Sequence, residues 1–367
     1  MKPTARLHEL GQSLWLDNIT RTILGDGTLK SYIDELSVTG LTSNPTIFDK
    51  AISSGDAYDQ QVAEVSDAAE AGEGVGANSD ERVFFELALA DLRDACDLFA
   101  GVHERTDGVD GFCSLEVSPL LADNGGETTA QAAALHARAE RDNLFIKIPG
   151  TPAGVKAIEE SIYAGIPINV TLLFDHKQYL ASAEAYMRGI ERRIEDGLNP
   201  DVASVASVFI SRWDVAVADK VHKDLKNNLG ISVAGLIYNV YRELLDSPRM
   251  QRLMNEGARP QRLLWASTGT KDPNASDTLY IKALASPFTV NTMPEPTLHA
   301  FADHGEIGDL MPADGGHSKG KLAIYYGNGI DVDALAIQLQ EEGKQSFNKS
   351  WEDLLKSISA QRGVATG

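Results

Sequence analysis

The feature that most constrains the fold is a regular alternation of short apolar runs with longer amphipathic segments. Eight such runs, each closed by polar or turn residues, occupy 13–19, 38–44, 112–119, 144–150, 167–174, 205–211, 262–268 and 287–294. Most are separated by segments with apolar residues at helical spacing, such as 80–102, 127–142 and 175–197. Repeated strand–helix alternation is typical of a parallel sheet.

Eight strand–helix units in 367 residues predict an α/β fold in which the sheet closes into a (β/α)8 TIM-type barrel with extra helices. The alternative is an open, doubly wound sheet, which would need a glycine-rich phosphate turn that LWLDNITRTIL lacks. We expect one barrel domain over residues 1–367, with a mobile acidic insertion at 52–79 after the second strand. Residues 303–330 are expected to form a loop, and 331–367 a C-terminal helical segment.

The charge of the chain limits which partners it can bind. Asp and Glu number 53 against 33 Lys and Arg, for a formal net charge of −20. This field repels phosphate backbones and anionic lipids, so we expect no nucleic-acid and no membrane partner. Without an apolar run that suits a signal peptide or membrane span, we expect a cytoplasmic protein. Cys96 and Cys113 are too few for a disulfide framework and are expected to be reduced.

Two glycine-rich stretches resemble phosphate-binding loops but lack the context of such loops. In GGHSKGKL (315–322), Leu322 stands where a hydroxyl must reach magnesium, and GEGVGA (72–77) lies in the acidic insertion. No metal-binding or Ser-His-Asp motif is found, and the eight histidines are scattered. We therefore expect no metal site.

Polar and charged side chains interrupt strands that should otherwise be nearly continuous Val, Ile and Leu. They fall near the C-terminal ends of the strands, where the active site of a parallel barrel forms. In chain order, the candidate site residues are Asp17, Asn44, Glu116, Lys147, Asn169, Thr171, Ser207, Arg212, Ser267 and Lys271. One barrel mouth would thus collect carboxylates, cations, amides and hydroxyls.

Lys147 is an ammonium group within the apolar run LFIKIPG. Loss of hydration disfavours the charged form, and an uncharged lysine is a nucleophile that condenses with a carbonyl to a Schiff base. A Schiff base is an electron sink that permits carbon–carbon cleavage. The alternative is a structural lysine neutralised by a buried carboxylate, but the number of other polar strand ends favours the catalytic interpretation.

Schiff-base chemistry of this kind needs several proton transfers, for which carboxylates are suited. Asp17 and Glu116 are the candidates for this acid/base role. Either could instead cap a helix or form an ion pair with Lys147. A glutamate in the middle of a strand is unusual, which favours a functional role for Glu116.

Two cations follow the sixth and seventh strands, near the place where many barrels bind phosphate. These are Arg212 and Lys271, and Ser207 and Ser267 could add hydrogen bonds to the same phosphate. The alternative for each cation is a solvated surface charge.

Five motifs, in the same order and on successive strands, resemble the transaldolase family. They are LTSNPTIF (41–48), SLEVSP (114–119), IKIPGTPAG (146–154), INVTLLF (168–174) and WASTGTK (265–271), with LWLDNI before them. The resemblance covers roughly residues 8–360 and is closest to the longer bacterial form with an insertion after the second strand.

The resemblance implies a (β/α)8 barrel that needs no cofactor and acts on small-molecule sugar phosphates. It implies transfer of a dihydroxyacetone unit from sedoheptulose 7-phosphate to glyceraldehyde 3-phosphate. The products would be erythrose 4-phosphate and fructose 6-phosphate, in the non-oxidative branch of the pentose phosphate pathway.

The matching motifs also imply a catalytic role for four residues. Lys147 in FIKIPG would be the Schiff-base lysine, and Asp17 in LWLDN would be the acid/base at the hydroxyl of the cleaved bond. Glu116 in SLEVS and Thr171 in NVTLL would hold the water used in imine formation.

The remaining matched residues imply substrate contacts. Asn44 and Asn169 would bind the hydroxyls of the three-carbon unit, while Ser207 and Arg212 would bind phosphate. Shorter family members carry an arginine after the seventh strand. WASTGTK offers Lys271 instead, which keeps the charge but loses the bidentate fork.

Two other functions remain open from the sequence. An aldolase of the same architecture would release free dihydroxyacetone, although such relatives tend to be shorter chains. A non-catalytic barrel that senses sugar phosphates would need no reactive lysine. The sequence also leaves open whether the protein is a monomer or a homodimer.

Overall fold

The computed structural model describes residues 1–365, so the last two residues of the expected 331–367 segment lie outside the described residues. This part of the chain contains eight strands. They are β1 Gln12–Asp17, β2 Val38–Thr42, β3 Cys113–Glu116, β4 Leu144–Pro149, β5 Ile168–Leu173, β6 Ser204–Phe209, β7 Arg262–Ala266 and β8 Thr289–Met293. All paired neighbours are parallel, in the order β2-β1-β8-β7-β6-β5-β4-β3.

Two backbone hydrogen bonds join the strands at the ends of this order. The Leu41 amide donates to the Phe112 carbonyl at 3.0 Å, and the Gly111 amide donates to the Thr39 carbonyl at 2.8 Å. These bonds close the sheet between β2 and the segment that enters β3, so both edge strands find partners. The predicted (β/α)8 barrel is confirmed, and the open doubly wound sheet is excluded.

Helices follow the strands and cover the barrel. Those of the described residues are α1 Pro3–Glu9, α2 Arg21–Gly25, α3 Thr28–Leu36, α4 Pro45–Ser53, α5 Asp59–Glu70, α6 Ser79–Arg105, α7 Gly125–Ala139, α8 Pro152–Tyr163, α9 His176–Glu195, α10 Ser211–Val217, α11 Leu229–Leu245, α12 Pro248–Asn255, α13 Leu279–Ala283, α14 Glu295–His304, α15 Ser318–Gly327 and α16 Val332–Ala365. Several begin at a polar N-cap directly after a strand, such as Thr151 before α8 and Asp175 before α9. Within residues 1–365, none of these helices has the length and apolar character that crossing a membrane requires.

Two segments contain more helix than their composition suggested. The acidic insertion at 52–79 contains α5, whose Val62 and Ala69 are buried against the core. The prediction of a loop over 303–330 is wrong in part, because α15 occupies Ser318–Gly327 within it. The Ala, Glu and Gln residues of α5 favour a helix, and α5 packs against α6 and α16. The two glycines in α15 weaken its helical signal, and this helix packs against α11.

The C-terminal helix α16 lies across the barrel end at which the strands terminate. The Gln340 side chain donates to the Gly150 carbonyl at 3.1 Å and to the Leu172 carbonyl at 2.9 Å, which anchors the helix to the ends of β4 and β5. Further along, the Trp351 indole donates to Glu81 of α6 at 3.1 Å. These contacts bring residues from the end of the chain to the mouth of the barrel.

Gly154 in the first turn of α8 packs tightly against the end of β4, because a Cβ atom there would overlap the Pro149 carbonyl oxygen. We expect Gly154→Ala to lower the free energy of unfolding by about 1–3 kcal/mol, since a backbone atom must move to relieve the overlap. Gly126→Ala in the first turn of α7 is a matched control. Its Cβ would lie 3.7 Å from Asn124 Oδ1, an ordinary contact. Urea unfolding measures both variants, and equal losses would contradict this account.

Candidate active site

A cavity of about 350 Å³ opens at the C-terminal ends of the strands. Eight of the ten candidate residues line it: Asp17, Asn44, Lys147, Thr171, Ser207, Arg212, Ser267 and Lys271. The other two, Glu116 and Asn169, are buried on the strands that flank Lys147 and pair directly with it in register. The barrel therefore gathers residues that are far apart in the sequence around one space.

Lys147 lies at the inner end of this cavity. Its Nζ donates to the Ser43 carbonyl at 3.0 Å and lies 3.3 Å from Glu116 Oε2. The side chains of Lys147 and Glu116 are only 7% and 3% exposed. The ion pair that a structural lysine would form is thus present, but the amine also borders an open cavity. A small carbonyl compound in that cavity could reach it.

Glu116 and Thr171 present oxygens that lack partners. Among the described residues, Glu116 Oε1 and the Thr171 hydroxyl are buried and have no hydrogen-bond partner, whereas Glu116 Oε2 faces the Lys147 amine at 3.3 Å. Burial raises the pKa of Glu116, and the neighbouring Lys147 charge offsets only part of that rise. Buried polar groups are normally satisfied by protein or ordered water. Since β3 and β5 flank β4, a water held by these two residues would lie beside Lys147.

Asp17 ends β1 and faces the same cavity. Thr42 donates to its Oδ1 at 2.8 Å, and the Thr42 hydroxyl is also 2.7 Å from that of Thr292. Burial raises the pKa of Asp17, while the charges of Lys147 and Lys271 and the hydrogen bond from Thr42 lower it in part. A carboxyl group whose pKa is shifted toward neutrality is suited to exchange protons with a substrate.

The amide side chains of Asn44, which lines the cavity, and Asn169, which is buried beside Lys147, are held by hydrogen bonds. Asn169 donates to Ser114 Oγ at 3.1 Å and accepts from Ser207 Oγ at 2.7 Å. The Ser207 proton is therefore directed at Asn169 rather than at a phosphate. Asn44 accepts from the Ile47 amide at 3.1 Å, which caps α4 and leaves its NH₂ group to donate elsewhere.

Two further cations, Arg212 and Lys271, line the cavity. Arg212 lies in the first turn of α10, and its guanidinium makes no hydrogen bond or ion pair with any described residue. Lys271 is exposed in the loop after β7 and also lacks such a partner in residues 1–365. Ser267 contacts Ser211 through their hydroxyls at 2.8 Å, and its φ of 55° is left-handed. A left-handed backbone conformation is strained for a residue other than glycine, and such strain often occurs at functional sites.

Sequence reasoning missed several residues that line the cavity. Phe347 and Ser346 come from α16, Lys50 from α4, and Thr42 and Thr292 from strand ends. The strand-end threonines follow the same pattern as the residues that were found, and could have been included. The residues of α16 gave no such signal, because their approach to the barrel depends on contacts across most of the chain.

A larger depression, of about 570 Å³, lies at the opposite end of the barrel. It is lined by residues that precede the strands, including His103, His136 and Arg259. Within residues 1–365, no group of three or more His, Cys, Asp or Glu is placed to hold a metal ion. Since barrel active sites form at the C-terminal ends of strands, we take the smaller cavity as the candidate active site.

Comparison with known proteins extends these observations. A sequence model of the family Transaldolase/Fructose-6-phosphate aldolase matches residues 14–358. The transaldolase of Frankia alni is 43% identical over 371 aligned positions, which cover 98% of each chain. The transaldolase of Kocuria rhizophila is 42% identical over 372 positions, covering 99% of each. Transaldolase 2 of Streptomyces coelicolor is 41% identical, covering 97% of this chain and 96% of its own.

The raised pKa of Asp17 predicts how its replacement changes stability with pH. The folded protein binds the Asp17 proton more tightly than the unfolded chain does, so this carboxyl destabilises the fold increasingly as pH rises above about 4. Asp17→Asn removes that titration. At each pH we compare the melting temperature of Asp17→Asn with that of the unmodified protein. We expect the difference, variant minus unmodified protein, to become larger from pH 4 to pH 7. Asp309→Asn, at an exposed loop position, removes the same charge and serves as the control. A melting-temperature difference for Asp17→Asn that becomes smaller as pH rises would contradict a raised pKa of Asp17.

Proposed function

This chain belongs to the transaldolase/fructose-6-phosphate aldolase family, and from that membership we propose that it catalyses the transaldolase reaction. The donor would be sedoheptulose 7-phosphate and the acceptor glyceraldehyde 3-phosphate, giving erythrose 4-phosphate and fructose 6-phosphate. The protein would serve the non-oxidative branch of the pentose phosphate pathway in the cytoplasm, as a single barrel domain. The observation that carries the proposal is the Lys147 amine, buried beside Glu116 yet open to a cavity.

In the first step, the Lys147 amine adds to the C2 carbonyl of the donor. The resulting carbinolamine loses water, which requires a proton to be delivered to the departing oxygen. A water held by Glu116 and Thr171 would carry that proton, since Glu116 Oε1 and the Thr171 hydroxyl have no partner among the described residues. Glu116 then balances the positive charge of the protonated Schiff base.

In the second step, the bond between C3 and C4 of the donor breaks. Asp17 takes the proton of the C4 hydroxyl, C4 becomes the aldehyde carbon of the leaving product, and the electron pair of the bond passes to the nitrogen as an enamine. The acceptor aldehyde is then attacked by C3 of the enamine, and Asp17 returns its proton to the new alkoxide. Hydrolysis of the Schiff base releases the product.

The polar and charged groups of the cavity suit the two ends of a sugar phosphate. Asn44 and Asn169 would bind the hydroxyls of the three-carbon unit, with Ser207 orienting Asn169 through its hydrogen bond. Arg212, Ser267 and Lys271 would bind the phosphate at the other end. The apolar neighbours of Lys147 limit access of water, which protects the enamine until an acceptor arrives.

The nearest alternative function is release of free dihydroxyacetone, because the family includes fructose-6-phosphate aldolases. Relatives that match over almost the whole chain are named transaldolase, which favours transfer. A barrel that only senses sugar phosphates would have no need of an amine next to two carboxyl groups of raised pKa.

Borohydride trapping tests the Schiff base directly. With fructose 6-phosphate, we expect a reduced three-carbon adduct on the peptide that contains Lys147, detected by mass mapping. Lys147→Ala should lose the adduct and reduce turnover by about a thousandfold or more, because no other group supplies the nucleophile. Lys50→Ala is the matched control, since Lys50 lines the same cavity. An adduct on Lys50, or none in the unmodified protein, would refute the proposed role of Lys147.

Acceptor dependence separates transfer from free aldol cleavage. We expect consumption of fructose 6-phosphate to be at least about tenfold faster when erythrose 4-phosphate is present, because the shielded enamine waits for an aldehyde. A coupled assay for released glyceraldehyde 3-phosphate measures both rates. Equal rates with and without acceptor, together with free dihydroxyacetone, would identify an aldolase instead.

A further inference from the structure

We propose that Gly343 and Phe347 of α16 are positioning residues that hold the Arg212 guanidinium in the orientation in which it binds phosphate. The inference rests on the proposed role of Arg212 in phosphate binding. The inference adds that the C-terminal helix α16 contributes to the affinity for the phosphorylated substrate.

One face of α16 is directed at the mouth of the barrel. Gln340, Gly343, Phe347 and Trp351 recur at spacings of three and four residues, so they share one side of the helix. Gln340 is anchored to the ends of β4 and β5, and Trp351 to Glu81 of α6. Because both ends of this stretch are fixed, Gly343 and Phe347 between them have a defined place above the cavity.

Two aromatic rings contact the Arg212 side chain. Its Cζ lies 5.4 Å from the centroid of Phe209 and 6.0 Å from that of Phe347, and the two rings are 6.4 Å apart at 62°. Phe347 is only 7% exposed. Attraction between a guanidinium and ring faces at this distance is favourable. Burial lowers the pKa of Arg212, and the charge of Glu342, also on α16, offsets part of that change. The two rings are therefore the direct side-chain contacts that restrain the guanidinium, and α16 supplies both one of the rings and the nearby carboxylate.

Gly343 allows the helix to come close enough for this contact. A Cβ atom at this position would lie 2.9 Å from Leu172 Cδ2 and 3.3 Å from Arg212 Nη1. A glycine inside a helix costs about 1 kcal/mol relative to alanine, so its presence calls for a packing reason. Here the reason is the space that the Leu172 side chain and the Arg212 guanidinium occupy together.

The arrangement suits anion binding. A guanidinium has five N–H donors, and with none committed to protein groups of residues 1–365 all remain free for phosphate oxygens. Rings that restrain the side chain before substrate arrives reduce the ordering that binding would otherwise require. Loss of either α16 residue should therefore weaken binding of the phosphorylated substrate and leave the chemistry at Lys147 unchanged.

A double-mutant cycle tests the inference, with steady-state kinetics on fructose 6-phosphate and competitive inhibition by inorganic phosphate. We expect Phe347→Leu to raise KM and the phosphate inhibition constant about 3- to 10-fold, with kcat within about twofold. In an Arg212→Ala background, the same substitution should change KM by less than about twofold, because the two residues act as a unit.

Gly343→Ala provides a second arm that does not depend on removing a buried ring. Alanine favours the helix by about 1 kcal/mol, whereas its Cβ must displace Leu172 Cδ2 and Arg212 Nη1. We therefore expect little net change in thermal stability together with a raised KM. Ile337→Ala, at a 70% exposed position of the same helix, is the control and should change neither quantity. A merely structural role for α16 would instead lower stability and leave the KM unchanged.

The outcomes distinguish this inference from the proposed function. If the unmodified protein does not convert fructose 6-phosphate, the proposed function fails, and the inference with it. If it does, and Phe347→Leu and Gly343→Ala both leave KM and phosphate inhibition unchanged, the inference alone is overturned. Additive effects of Phe347→Leu and Arg212→Ala would also overturn it.

Discussion

The contact between the Lys147 ammonium and the Glu116 carboxylate, 3.3 Å apart on neighbouring strands, is the constraint on which the site depends. Two charges removed from water lose more hydration energy than their attraction readily recovers, so such a pair is weak as a source of stability. The barrel supports it by holding β3 and β4 in register and by offering the Ser43 carbonyl as a further acceptor. A buried pair of this kind is costly to build, which agrees with the catalytic role that we propose for it.

The polar groups around this pair divide into two sets. Asn169 and Asp17 are tied to serine and threonine hydroxyls, which fix their orientation. Within residues 1–365, Glu116 Oε1, the Thr171 hydroxyl and the Arg212 guanidinium have no hydrogen-bond partner. The satisfied set forms a frame of fixed side chains, and the unsatisfied set coincides with the positions at which we propose that water and phosphate bind.

The sequence contained most of this arrangement because its signals were local. Each strand is a short apolar run, and Asp17, Lys147 and Ser207 each stand near the end of one. In a parallel barrel all strands end at the same mouth, so these side chains can be predicted to lie together before any contact between them is known. The proximity of Phe347 to Arg212 could not be inferred in this way, since it depends on how a distant helix packs. The direction of the Ser207 hydroxyl toward Asn169 also depends on neighbours that only the folded chain provides.

The position of α16 at the end of the chain has a consequence for the order of biosynthesis. A ribosome completes all eight strands, and with them Lys147 and its carboxylate neighbours, before it reaches the ring of Phe347. In a nascent or proteolytically shortened chain that ends before α16, all eight strands are present but the ring that packs beside Arg212 is absent. The residues proposed for the chemistry and the ring that restrains Arg212 are thus encoded in separate stretches of the polypeptide, and the ring is the last of them to be synthesised.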